Sequence, residues 1–223
     1  MTESPCKIAV LVSGSGSNLQ SIIDHVERGH INASIACVVS NKPNAYGLVR
    51  AEKSNIPTHI IDHKNYDSRE AFDMELVKIL TVYSIKLIVL AGFMRVLSAT
   101  LIDEFQGNIL NIHPSLLPKY PGLHTHARTL EAGDSEHGCS VHFVTTELDN
   151  GPLIIQAKVK VEDSDSAETL AARVLEKEHV IYPLAVKWFC DKRLELNSGK
   201  AYLDGSPLTQ AILLTSKYEN ELQ

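Results

Sequence analysis

Long apolar runs are missing from this chain. The first of them, Ile8 to Val12, is too short for a membrane span or for the core of a secretory signal. Cysteine is sparse as well. Cys6, Cys37, Cys139 and Cys190 lie far apart and form no Cys-x-x-Cys pair, a spacing that argues against a disulfide framework or a thiolate metal site. Positive charge is in deficit: 21 lysines and arginines face 27 aspartates and glutamates, a net charge of −6. Broad binding to nucleic acid or to an anionic membrane needs a cationic surface, so neither partner is expected. Repeats, low-complexity segments and linkers are absent too. These absences describe a cytoplasmic protein with reduced thiols.

What remains is an ordinary globular composition, 44% apolar and 22% charged, in 223 residues, enough for one domain with a sizeable core. Strand-like and helix-like segments alternate. Residues 7–12 read as a buried strand, 18–28 as a helix, 31–40 as a second strand, 48–53 as a short helix and 58–61 as a third strand. Asp67, with Glu70 three residues later, predicts a capped helix whose apolar stripe is Phe72, Leu76, Ile79, Leu80 and Tyr83. Residues 87–91 and 109–113 read as central strands. Runs apolar on both faces and separated by helices signal a parallel sheet. After Pro114 the pattern changes: 139–144 and 152–161 look like an antiparallel pair. A last helix opens near Asp165, with Glu168 in the capping-box position, and Pro183 should kink or split it. The expected fold is α/β, a mostly parallel twisted sheet with helices on both faces and an antiparallel addition in the C-terminal half. One domain, 1–223, is expected, with halves of about 1–100 and 101–190 and an unassigned tail, 191–223.

Four features carry chemistry. Ser13-Gly14-Ser15-Gly16-Ser17-Asn18 lies between the first strand and first helix, where glycines allow a tight turn and free N–H groups face any anion. It is not a P-loop, because no lysine ends it. It is not a dinucleotide fingerprint either, since Leu19 replaces the third glycine and Ser40-Asn41 replaces the ribose-binding carboxylate. A phosphate monoester site and a ligand-free turn both remain. Asn111 and His113, two apart on a strand that Pro114 ends, project to one face at the carboxyl end of the sheet. An amide donor beside a histidine suits a carbonyl reaction, although both could be loop hydrogen-bonders. Asp149 precedes Asn150-Gly151, a favoured hairpin turn, so a turn role and a catalytic role both stand. Glu178 falls in the stripe of Leu170, Val174, Ile181 and Ala185, where a carboxylate needs a polar partner or must snorkel. His124, His126, His137 and His142 keep a zinc hydrolase in view, yet no His-Glu-x-x-His or carboxylate at ligand spacing supports a metal. His142, between Val141 and Phe143, could face a pocket or satisfy the core.

Longer segments add a resemblance. Ser13 to Gln20, Ala91 to Leu97, Asn111-Ile112-His113-Pro114-Ser115-Leu116-Leu117-Pro118-Lys119-Tyr120-Pro121-Gly122, Gly138 to Val144 and Glu147 to Pro152 resemble the folate-dependent formyltransferase family, most closely its glycinamide ribonucleotide branch. The similarity spans roughly residues 7–189, and the His-Pro-Ser-Leu-Leu-Pro run is specific to the family. It implies a purine-biosynthetic transfer of a formyl group from 10-formyltetrahydrofolate to the amine of glycinamide ribonucleotide, without a metal, by a monomer or homodimer. The first half would then bind the nucleotide phosphate, and the second would hold the catalytic and folate sites. The resemblance assigns Gly16, Ser17 and Asn18 to the substrate phosphate and Glu178 to the acceptor nucleotide. Arg69 and Met94, Arg95, Val96 and Leu97 would line the folate pocket, and Thr145, Thr146, Glu147, Leu148 and Asp149 would border the pterin. Asn111 would hold the formyl oxygen, His113 would assist the tetrahedral intermediate, and Asp149 would keep His113 poised and relay protons. Asn150-Gly151 stands where the family commonly has Gly-Gly, which puts the loop's conformation in question. A methionyl-tRNA formyltransferase would be expected to carry an RNA-binding domain after this region, and a formyltetrahydrofolate deformylase a regulatory domain before it.

Overall fold

The computed structural model describes residues 4–222, which divide into two compact units between Leu110 and Asn111. In the first unit, β1 (Cys6–Val12) leads to α1 (Ser17–Glu27), then β2 (Ala33–Ser40), α2 (Tyr46–Lys53), β3 (Thr58–Ile60), α3 (Arg69–Val82), β4 (Leu87–Leu90) and α4 (Ala99–Glu104). The strand order is β3-β2-β1-β4, and β1 with β2, β1 with β4 and β2 with β3 all pair in parallel. Ile8 to Val12 are entirely buried, which explains a run apolar at every position rather than at alternate ones. The start of α3 lies one residue beyond the expected cap. Ser68, not Asp67, accepts the Ala71 N–H at 3.0 Å, because the shorter hydroxyl is the one standing at the N-cap.

β5 (Ile109–His113) carries the chain from the first unit into the second. There follow α5 (Thr125–Ala132), β6 (Glu136–Phe143), β7 (Leu153–Lys160) and α6 (Ala167–Cys190). β6 and β7 are antiparallel, as expected from the sequence. The tail, unassigned in the sequence, forms β8 (Leu194–Asn197), β9 (Lys200–Leu203) and β10 (Ser206–Pro207), a small antiparallel sheet. It continues as β11 (Ile212–Leu213), which adds to β7 in parallel, and α7 (Ser216–Glu219). The chain is thus α/β, mostly parallel, with its antiparallel strands in the C-terminal half.

α6 departs from expectation twice. Its capping box is Ser166 with Thr169, whose side chains each accept the other residue's backbone N–H, rather than Asp165 with Glu168. It also runs unbroken through Pro183. Losing one backbone bond and fitting the ring costs about 3 kcal/mol. Ile181, Tyr182, Leu184, Val186 and Trp188 are all fully buried around it. At roughly 1.5–3 kcal/mol for each large apolar side chain, their packing holds the helix together. No helix among the described residues is long and apolar enough to cross a membrane.

Candidate active site

In the second unit, Asn111, His113 and Asp149 come together. β5 sets the first two on one face two residues apart, with His113 buried and Asn111 half-buried. Asp149 arrives from the segment between β6 and β7. That segment is not the tight Asn-Gly hairpin its sequence suggests, for it spans residues 144–152 and Asp149 itself takes the left-handed conformation, φ 50°. The inward turn brings its carboxylate 3.5 Å from His113 Nδ1, while Oδ2 accepts the Gly122 N–H at 2.8 Å. His113 Nε2 lies 2.9 Å from the Tyr120 carbonyl oxygen. A carbonyl only accepts, so Nε2 carries a proton and points it at an oxygen.

The Pro-rich segment after His113 is held from inside. Ser115 Oγ donates to the Lys119 carbonyl at 2.6 Å, and Ser140 Oγ on β6 donates to the Ser115 carbonyl at 2.6 Å. Gln156 on β7 donates to the Leu117 carbonyl at 2.8 Å. These contacts fix the backbone that carries Tyr120 and Gly122 toward the histidine and aspartate.

The Asn150-Gly151 departure has a physical account. Asn150 is absent from the positive-φ residues, so its place requires no glycine, and its exposed side chain bonds Glu147. Gly151 is different: a Cβ there would lie 1.8 Å from the Phe143 carbonyl oxygen. Only the second position needs glycine.

Asn111 also meets a residue that sequence reasoning left undecided. Its Nδ2 is 3.1 Å from Nε2 of His142, which is buried on β6 and whose Nδ1 is 2.8 Å from the Phe143 carbonyl. Burial pushes the His142 pKa down. Glu178 lies on α6 and is 7% exposed, and its charge, after burial itself, helps raise the pKa of Cys139 on β6. Thr145, Thr146 and Glu147 line a cavity of about 780 Å³ whose other wall is the tail, Gly199 to Ala201 and Pro207 to Gln210. Asn111, His113 and Asp149 are not among its lining residues.

The remaining candidates belong to the first unit. Gly16 is the N-cap of α1 at φ 68°, and a Cβ on it would come 2.5 Å from Gly47 Cα. The glycine is therefore forced by both conformation and space, while Gly14 and Ser15 are exposed and Ser17 is half-buried. Asn18 is 8% exposed. Ser13, the first residue of the glycine loop, donates to Asn41 Oδ1 and accepts the Met94 N–H at 2.8 Å, tying the loop to the 92–98 segment. In that segment Met94 and Val96 are exposed, at 63% and 45%, while Leu97 is buried. Arg95 lies over the Phe72 ring at 4.9 Å, and Arg69 is exposed at the start of α3. Both guanidinium groups act on Asp73, which is 1% exposed and accepts the Ser98 N–H. Burial raises the Asp73 pKa against these opposing influences.

The model of the formyl transferase family matches residues 6–186. The chain belongs to the formyl transferase family. Its relatives include the phosphoribosylglycinamide formyltransferase of Escherichia coli K12, 53% identical over 201 residues, covering 90% of this chain and 95% of that protein. The solved phosphoribosylglycinamide formyltransferase of Coxiella burnetii superposes with a TM-score of 0.89 at 49% identity, covering 93% of this chain and 99% of that one. The human trifunctional purine biosynthetic protein adenosine-3 is 43% identical over 190 residues, which cover 85% of this chain and 19% of that protein.

His126 and His137 pack edge to face in this formyl transferase, their ring centroids 5.1 Å apart. His137, 1% exposed, sits 2.9 Å from Thr129 Oγ1 and 3.0 Å from His126 Nδ1. No group of three or more His, Cys, Asp or Glu among the described residues could hold a metal ion. Burial first, then His126, lowers the His137 pKa to about 4 from 6.5. An unfolded chain therefore binds this proton at a higher pH than the folded one, and stability is lost as pH falls from 6.5 toward 4. The expected loss is about 3 kcal/mol. Thermal melting across that range should fall steeply for the wild type and less steeply for His137→Gln; parallel curves would refute the assignment.

Proposed function

We propose that this formyl transferase moves the formyl group of 10-formyltetrahydrofolate to the amine of glycinamide ribonucleotide, in purine biosynthesis and in the cytoplasm. The observation that carries the chemistry is the cluster of Asn111, His113 and Asp149 in the second unit. The substrates are those implied by its relatives' names and by the motifs shared with the folate-dependent branch. Asn111 donates an amide hydrogen to the formyl oxygen, which gains negative charge when the amine attacks. His113 donates Nε2–H to the same oxygen. In this structure that N–H is donated to the Tyr120 carbonyl oxygen, whose place the formyl oxygen would take. Asp149 orients the imidazole, offsets positive charge on it, and relays through water, to the folate N10, the proton that leaves the attacking amine. The bond from N10 to the formyl carbon breaks as the tetrahedral intermediate collapses to the new amide and tetrahydrofolate. Arg69, Met94 to Leu97 and Thr145 to Asp149 border the folate, and Glu178 contacts the nucleotide.

The direct test is whether glycinamide ribonucleotide consumes 10-formyltetrahydrofolate in the presence of the protein, before and after exhaustive chelation. Equal rates are expected. Loss on chelation, restored by zinc, would return a zinc hydrolase to first place. Hydrolysis that proceeds equally without the nucleotide would point instead to a deformylase.

Gly16, Ser17 and Asn18 are proposed to clamp the nucleotide phosphate. Ser17→Ala with Asn18→Ala should weaken nucleotide binding by about 1.5–3 kcal/mol for each lost bond to a charged group, leaving folate affinity nearly unchanged. Isothermal titration of each ligand checks this. A fall in folate affinity instead would mean that the wrong ligand has been placed at this loop.

A further inference from the structure

We propose that His142 is a positioning residue for formyl transfer: it fixes the Asn111 side chain with its NH2 group, and not its oxygen, toward the reacting carbonyl. The inference rests on the formyl-transfer reading above and adds a residue that this reading does not use.

The argument is one of donors and acceptors. The Phe143 carbonyl, 2.8 Å from His142 Nδ1, can only accept, so Nδ1 carries the proton. A neutral imidazole has one N–H, which leaves Nε2 as a bare acceptor. Asn111 Nδ2, 3.1 Å away, donates to it. Were the amide reversed, its oxygen would face a lone pair at that distance, with no hydrogen between them. The amide NH2 has two hydrogens, so one engages His142 and the other remains for the formyl oxygen.

The local backbone is shaped for this contact. The β6–β7 register shifts between Val141 and His142, and an irregularity of that kind re-aims a side chain. Gly151 leaves the Phe143 carbonyl open: a Cβ there would lie 1.8 Å from that oxygen and 3.3 Å from His142 Nδ1. Gly151 therefore protects the bond that sets the tautomer.

The arrangement requires a neutral ring. A proton on Nε2 would be drawn to the Asp149 carboxylate, 3.9 Å away, or to the Asn111 oxygen, and either would release the amide. Asp149 favours that proton, while His113 and burial oppose it, and burial is the largest influence. His142 is 2% exposed.

A merely structural histidine would fill space and satisfy the Phe143 carbonyl, with no special tie to Asn111. Kinetics separate the two roles. His142→Phe keeps the volume and removes the acceptor, and it should lower kcat about tenfold, the equivalent of one lost hydrogen bond. KM for both substrates should stay within about twofold. His142→Gln, whose amide oxygen can reach the place of Nε2, should recover part of the rate. In an Asn111→Ala background, His142→Phe should change kcat by less than about twofold, because the group it positions is gone.

A wild-type kcat in His142→Phe, or a penalty undiminished in the Asn111→Ala background, would overturn the proposal. If the Phe variant does not fold, the Gln variant carries the same cycle: a drop in kcat that vanishes without Asn111 supports positioning, and any other pattern overturns it. Wild-type protein that fails to transfer formyl would remove the parent reading and this inference together. Wild-type protein that transfers formyl but is indifferent to His142 would remove only the inference.

Discussion

Asn111→Ala is expected to lower kcat on the order of 10²–10³-fold, the usual result of deleting one preorganised donor at a developing oxyanion. On the proposed mechanism the amide acts on charge that appears only as the amine attacks, so KM for the two substrates should change little. Its geometry supports that role: it stands on β5 two residues from His113, half-buried, with one N–H engaged by His142. Steady-state kinetics at saturating concentrations of both substrates test this, with circular dichroism to verify the fold. An equal rise in both KM values at constant kcat would show that Asn111 binds ground states only and does not stabilise the intermediate.

Asp149→Asn should be about as severe, with a loss of roughly 10²–10⁴-fold, the range for groups that manage protons in a transition state. The carboxylate accepts the Gly122 N–H and lies beside His113 Nδ1, at 9% side-chain exposure. An asparagine can keep an oxygen toward Gly122. It supplies no charge to balance an imidazolium and cannot receive the amine's proton. Both the rate and the shape of the pH–rate profile should therefore change. A variant with wild-type rate and profile would show that the aspartate is a loop residue whose only task is to hold Gly122.

Much of this site is legible in the sequence because strands and helices have fixed periods. The two-residue spacing of Asn111 and His113 places both on one face of β5. The stripe around Glu178 leaves a partnered carboxylate or a snorkelling one open, of which the structure has the carboxylate buried on α6. What escapes is carried by contacts between residues distant in the chain. Gly122 meets Asp149 across 27 positions and Met94 meets Ser13 across 81, and no local pattern announces either. Asp149 reads as a hairpin residue because its neighbours have turn chemistry, whereas the chain makes a longer excursion to bring it inward. Pro183 misleads for the opposite reason: its local penalty is real and is overcome by buried neighbours that a window of sequence does not count. The helix caps miss by one residue, since Asp67 and Ser68, like Asp165 and Ser166, are adjacent competent caps.

The segment between β6 and β7 divides its labour along its length. Gly151 is seated against Phe143 and Asp149 is tied to Gly122, while Thr146, Glu147 and Leu148 are exposed. Substitution can therefore act on one end without disturbing the other. On the proposed assignment, a library restricted to 146–148 would vary the exposed end while the Asp149 carboxylate keeps its place, whereas changes at 149 or 151 would disturb that carboxylate's position.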